Sequence, residues 1–89
     1  MLTLTEKIQN EFIGSRYNDA GDACEKLSAI VGTPCRCYDS EIADWVYDDE
    51  AEDCYVMKDC FDFKGSNLVV RIYYGDITKE IGYVDVTEY

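Results

Sequence analysis

Histidine is absent from this 89-residue chain. Without an imidazole, Ser-His-Asp triads and Cys-His pairs are excluded, and a thiolate nucleophile would need another activating group. Arg36 is the only base adjacent to a cysteine in sequence. No glycine-rich phosphate loop occurs. Proline occurs once and glycine six times, so the chain is neither low-complexity nor a linker. No apolar run approaches the roughly 20 residues needed to cross a bilayer. No basic segment precedes an apolar run in the way of a secretory leader. Bases are scarce as well: eight Lys and Arg stand against 19 Asp and Glu, a net charge of −11. Nucleic acid and anionic membranes repel a surface of that sign, so neither is expected as a direct partner. The expectation is a non-enzymatic protein of the cytoplasm that needs no cofactor.

What is present is an apolar content of 47%, which argues against disorder despite the charge. The length suffices for one small domain, residues 1–89. Five cysteines occur: Cys24, Cys35, Cys37, Cys54 and Cys60. An odd number without a secretory leader argues against a complete disulfide framework. Cys35-x-Cys37 together with Cys54 and Cys60 would supply four thiols, as zinc accepts. Those spacings are unlike the usual CxxC pairs, so a thiol-metal module stands as an alternative and free thiols as the default. The run 44–53 has no Asp-x-Asp-x-Asp-Gly pattern, which excludes an EF-hand.

Local patterns give the outline. Thr3-Leu4-Thr5-Glu6 fits a capping box, and Leu4, Ile8 and Phe12 form an apolar stripe. A first helix is expected over about 4–13, closed by Gly14 and Ser15. Asn18 or Asp19 caps a second, whose Ala20, Ala23, Cys24, Leu27, Ile30 and Val31 follow the 3.6-residue period. Gly32 is placed as its C-terminal cap, and Pro34 cannot continue it. Residues 35–38 read as a short strand. Ser40 could cap a helical turn over 41–46 that packs Ile42, Trp45 or Val46, and an extended reading is nearly as good.

From Cys54 the period becomes alternating. Residues 55–63 read as a strand with Tyr55, Met57, Phe61 and Phe63 pointing one way and Asp59 the exception. Lys64-Gly65-Ser66-Asn67 is turn chemistry. Residues 68–74 form a clear strand, with Val69, Arg71 and Tyr73 on the face opposite Leu68, Val70, Ile72 and Tyr74. A last strand is expected over 81–87. The expected fold is α+β, with two N-terminal helices packed on one face of a three- to four-stranded antiparallel meander.

The charge is concentrated. Residues 39–62 hold ten acids and one base, Lys58, for a net −9, with Trp45, Tyr47, Tyr55 and Phe61 among them. Adjacent like charges over 48–53 resist compact regular structure, and such runs are commonly solvated faces. Concentrated charge beside aromatic residues also suits an interface, with aromatic anchors inside a charged rim. Carboxylates on one face of an extended segment repeat every ~6.8 Å. Duplex DNA carries one phosphate per ~3.4 Å of each strand, a spacing of the same order.

In size, in the acidic run 39–62 with Trp45, Tyr47 and Tyr55, and in the helix-plus-meander outline, the chain resembles the small acidic anti-defence proteins of phages and mobile elements. These are the anti-CRISPR inhibitors and antirestriction DNA mimics. The resemblance implies stoichiometric inhibition of a nucleic-acid-binding effector, in the host cytoplasm if the protein is phage-encoded, with no catalytic residues. The partner would be a basic protein surface, such as that of a CRISPR effector. Asp44, Asp48, Asp49, Glu50, Glu52 and Asp53 would pair with its Lys and Arg, and Trp45, Tyr47 and Tyr55 would anchor the contact. The alternative is an accessory or regulatory module that binds a partner through the exposed sheet face at Val69, Arg71 and Tyr73.

Overall fold

The capping box forms as its residues require. Thr3 Oγ1 accepts from the Glu6 amide while the Glu6 carboxylate accepts from the Thr3 amide, both at 3.1 Å. Helix α1 then runs Leu4–Phe12 and buries Ile8 and Phe12. Asp19 is the N-cap of α2, Ala20–Val31, accepting from the Asp22 amide at 2.7 Å. Gly32 closes α2 in the left-handed region at φ 88°, which a Cβ would disfavour. In the computed structural model of the chain the described residues are 2–46 and 55–89, without the side chains of 44–46.

Four strands follow: β1 Cys35–Val46, β2 Tyr55–Phe63, β3 Leu68–Gly75 and β4 Ile81–Glu88. They form one antiparallel sheet in the order β1-β2-β3-β4, so the expected α+β meander is the observed fold. The helices cover one face. α1 packs over β4, where Gln9 Nε2 donates to the Val84 carbonyl at 3.1 Å, and α2 packs over β1 and β2. The core between the layers joins Ile8, Phe12, Ala23 and Leu27 to Phe61, Val70, Ile72 and Val84. Each large apolar side chain so buried contributes roughly 1.5–3 kcal/mol relative to exposure.

The short strand expected at 35–38 and the helical turn weighed for 41–46 are one strand of 12 residues. Its local preferences are balanced, and pairing decides: Ser40, Glu41 and Ile42 stand opposite Asp59, Lys58 and Met57. β2 supplies the hydrogen-bonding rim that an isolated helical turn lacks. Ile42 does not pack as expected; it is 58% exposed.

A bulge at Tyr38 sets the facing of β1. Cys37 pairs with Phe61, but Asp39 pairs with Cys60, so Tyr38 is the extra residue. Continued pairing without it would set Asp39 opposite Asp59. With it, Ser40 occupies that place. At the other edge, the stretch after α1 pairs against the start of β4. Gly14 N donates to Ile81 O and Ile81 N to Ser15 O, both at 3.0 Å, and Tyr17 N donates to Lys79 O at 2.7 Å.

Candidate binding surface

Asp59, the polar exception in β2, lies on the helix-covered face and is only 4% exposed. Three hydroxyls surround its carboxylate. Tyr17 donates to Oδ2, Ser40 Oγ donates to Oδ1 at 2.5 Å, and Tyr74 lies 3.3 Å from both oxygens. The Tyr17 and Tyr74 rings stack, with centroids 3.9 Å apart and planes 16° from parallel. Burial first, and then the neighbouring Asp59, push both phenols above their ordinary range. Among the described residues no buried side-chain nitrogen or oxygen lacks a partner. This cluster is therefore a satisfied internal network, and Asp59 is one acid of the 39–62 run that faces no partner.

The rest of the acidic run divides between the sheet and its end. On the uncovered face Asp62 takes two bonds from Arg36, at 2.8 and 3.1 Å, and Glu41 pairs with Lys58 at 2.5 Å. These acids are matched by bases from adjacent strands. Asp39 is exposed on the edge strand, where its Oδ1 accepts from the Ser40 amide at 3.0 Å. Asp44 and Trp45 belong to β1, while Tyr47, Asp48, Asp49, Glu50, Glu52 and Asp53 lie outside the described residues. Val46 and Tyr55, the described residues on either side of that segment in sequence, pair with each other.

At that end the surface has apolar residues that a simple solvated face does not need. Tyr55, which alternation places on the same side of β2 as Met57, Phe61 and Phe63, is 47% exposed at the strand's first position. Ile42, on the neighbouring strand, is exposed too. The Asp76 amide donates to the Tyr55 carbonyl at 2.8 Å and brings the β3–β4 turn to the same end. Ile77 in that turn is 64% exposed. Sequence reasoning missed Ile42, which reads as a packing residue, and Ile77. The signal for Ile77 is an isoleucine set among turn residues Gly75, Asp76 and Thr78.

The uncovered sheet face differs from its expected form. Val69, Arg71 and Tyr73 are half-buried, and Arg71 is held by Asp85 at 3.0 Å and by the Tyr89 hydroxyl at 2.7 Å. Among the large hydrophobic residues exposed there are Tyr38 and Tyr83, with Tyr83 tilted against Tyr73 at a centroid separation of 5.4 Å.

Among the described residues the thiols of the four-cysteine zinc alternative are not brought together. Cys35 and Cys37 lie against the core on the helix-covered face, whereas Cys60 precedes Phe61 and so points to the opposite face. Cys54 lies outside the described residues. Among the described residues no cluster of three or more His, Cys, Asp or Glu is arranged to hold a metal ion, and no helix is long and apolar enough to cross a membrane. Comparison of the chain with protein-family models, with curated proteins and with solved structures returned no match.

Proposed function

We propose that this protein is a stoichiometric inhibitor that binds a basic surface of a nucleic-acid-binding effector, in the manner of anti-CRISPR proteins and DNA mimics. The observation that carries this reading is the coincidence at one end of the sheet. Val46 and Tyr55, which flank the acidic segment 48–53 in sequence, pair there, and Ile42, Tyr55 and Ile77 are exposed at the same end. Carboxylates steer a basic partner and form the rim, and the apolar groups exclude water from the centre. The paired acids Glu41 and Asp62 contribute little, because Lys58 and Arg36 already neutralise them.

The test is binding to purified CRISPR effector complexes across a salt series, with inhibition of target-DNA cleavage read in parallel. Replacing Asp48, Asp49, Glu52 and Asp53 by Asn or Gln is expected to slow association and flatten its salt dependence. Unchanged binding by that variant to an effector the native protein inhibits would remove the charge-mimic reading.

A second reading uses the uncovered face, favoured by exposed Tyr38 and Tyr83. There the protein is an accessory module that docks a partner on its sheet. Amide exchange in the complex separates the two: protection at 39–57 and 76–78 supports the first, and protection centred on 69–73 and 83–87 supports the second.

A further inference from the structure

The uncovered face of the sheet is built of cross-strand rows. In one row Glu41, Lys58, Tyr73 and Tyr83 stand side by side from β1 to β4. In the next stand Asp39, Cys60, Arg71 and Asp85, with Tyr38 bulging beside Asp39. Three ion pairs join neighbouring strands: Arg36 to Asp62 at 2.8 Å, Lys58 to Glu41 at 2.5 Å and Arg71 to Asp85 at 3.0 Å. Arg71 also donates to the Tyr89 hydroxyl at 2.7 Å, and Thr87 Oγ1 donates to Asp85 Oδ2 at 3.0 Å. The bases of this face are thus satisfied within the chain.

We propose that this face is a self-association surface, on which a second copy of the chain docks face to face in a weak dimer. Charge selects the occupant. The described residues of the face carry the bases Arg36, Lys58 and Arg71 and the acids Asp39, Glu41, Asp62 and Asp85, a net −1 against −11 for the whole chain. Two copies meeting over unmatched acids would repel, and here the repulsion is small. A strongly basic partner finds no complementary field on a face whose acids are already matched. Burial under a second copy leaves no base of the face without its acid. Tyr38, Tyr83 and Tyr89 are 46%, 49% and 69% exposed and supply the contact residues, ring for apolar area and hydroxyl for hydrogen bonding. In a two-fold pairing each of them is used twice.

Size sets the strength. Four strands ~4.8 Å apart, paired over a length of ~24 Å, make a face of ~450 Å², so two copies cover ~900 Å² before side-chain relief is counted. That is close to the ~1,000 Å² lower bound of specific association, which makes the dimer weak and concentration-dependent. The other −10 of each copy, −11 less the −1 of the face, repels across the dimer, so added salt strengthens it. Capture of a basic effector by acidic residues has the opposite salt dependence. It also uses a different surface, so either reading can fail without the other.

The experiment is sedimentation equilibrium of the full chain, kept reduced, from ~5 μM to ~1 mM protein in sodium chloride at ~50 and ~500 mM. The expected result is a mean mass that climbs with concentration from one chain toward two, with a several-fold tighter dimer at the higher salt. Tyr38→Ala combined with Tyr83→Ala should weaken the dimer by about tenfold or more. Ile42→Ser combined with Ile77→Ser, at the end of the sheet, should leave it unchanged. If circular dichroism shows that the tyrosine variant does not fold, Arg36→Glu takes its place. That residue is exposed, and the change takes the face from −1 to −3, which should weaken the dimer to a similar extent. The mass of one chain at every concentration in both salts overturns the proposal and leaves the face to a partner of other chemistry. A dimer that salt weakens, that the isoleucine variant dissolves, or that survives the tyrosine variant or its replacement overturns it too.

Discussion

Ser40 stands directly across from Asp59 in the β1–β2 ladder, and its hydroxyl donates to the Asp59 carboxylate at 2.5 Å. The pairing exists because the Tyr38 bulge shifts Asp39 out of that position. Ser40→Ala removes one of three donors and is expected to cost about 1 kcal/mol. Ser40→Asp sets two carboxylates face to face and is expected to cost at least ~3 kcal/mol. Urea unfolding of both variants measures the difference, and equal losses would show that the bulge does not serve to separate the acids.

Tyr17 reaches the same carboxylate from the stretch between the helices, while stacking on Tyr74. Tyr17→Phe keeps the stacked ring and removes the hydroxyl. The expected loss is roughly 1–3 kcal/mol, because a buried carboxylate oxygen is left short of a donor. Tyr74→Phe should cost less, since its bonds are the longer ones at 3.3 Å. Reversal of that order in denaturant melts would contradict the geometry.

Raised phenol pKa values make stability fall in alkali. In the folded protein both Tyr17 and Tyr74 sit above the ordinary tyrosine value, whereas the unfolded chain ionises near pH 10. Below that pH both states hold the protons and the contribution is complete. As pH rises past it, the unfolded state loses protons first, so stability drops by about 1.4 kcal/mol per pH unit for each phenol until the folded groups ionise. Unfolding free energies measured from pH 8 to 11 should show this fall. The Tyr17→Phe, Tyr74→Phe double variant should have a shallower slope, and an unchanged slope would place the linkage elsewhere.

Ile42 and Ile77 separate binding from folding. Both are exposed, so Ile42→Ser and Ile77→Ser should change stability by no more than about 0.5 kcal/mol. At a binding surface centred on Tyr55, the pair together should weaken effector binding by tenfold or more, about 1.4 kcal/mol. Calorimetry of unfolding and titration of the effector provide the two readouts. A large stability loss would mean that these side chains pack after all.

Much of the fold was legible because its signals are local. The Thr3–Glu6 box, the Asp19 cap, the 3.6-residue spacing from Ala20 to Val31 and the alternation of Leu68 to Tyr74 each lie within a few turns or one strand. The candidate site was legible only as composition. The acids and aromatics of 39–62 announce a surface, but they do not say which acid is internal, which is matched by a base, or that Ile77 arrives beside Tyr55.

By itself the sequence determined two helices, an antiparallel meander and a charge gathered into one quarter of the chain, because caps, periods and charge are properties of neighbours. The tertiary structure decided that 35–46 is one strand and that Asp59 is held by Tyr17, Ser40 and Tyr74. Tyr17 and Asp59 are 42 residues apart. The partners of a buried carboxylate are set by which surfaces the layers bring together, and no local pattern carries that information.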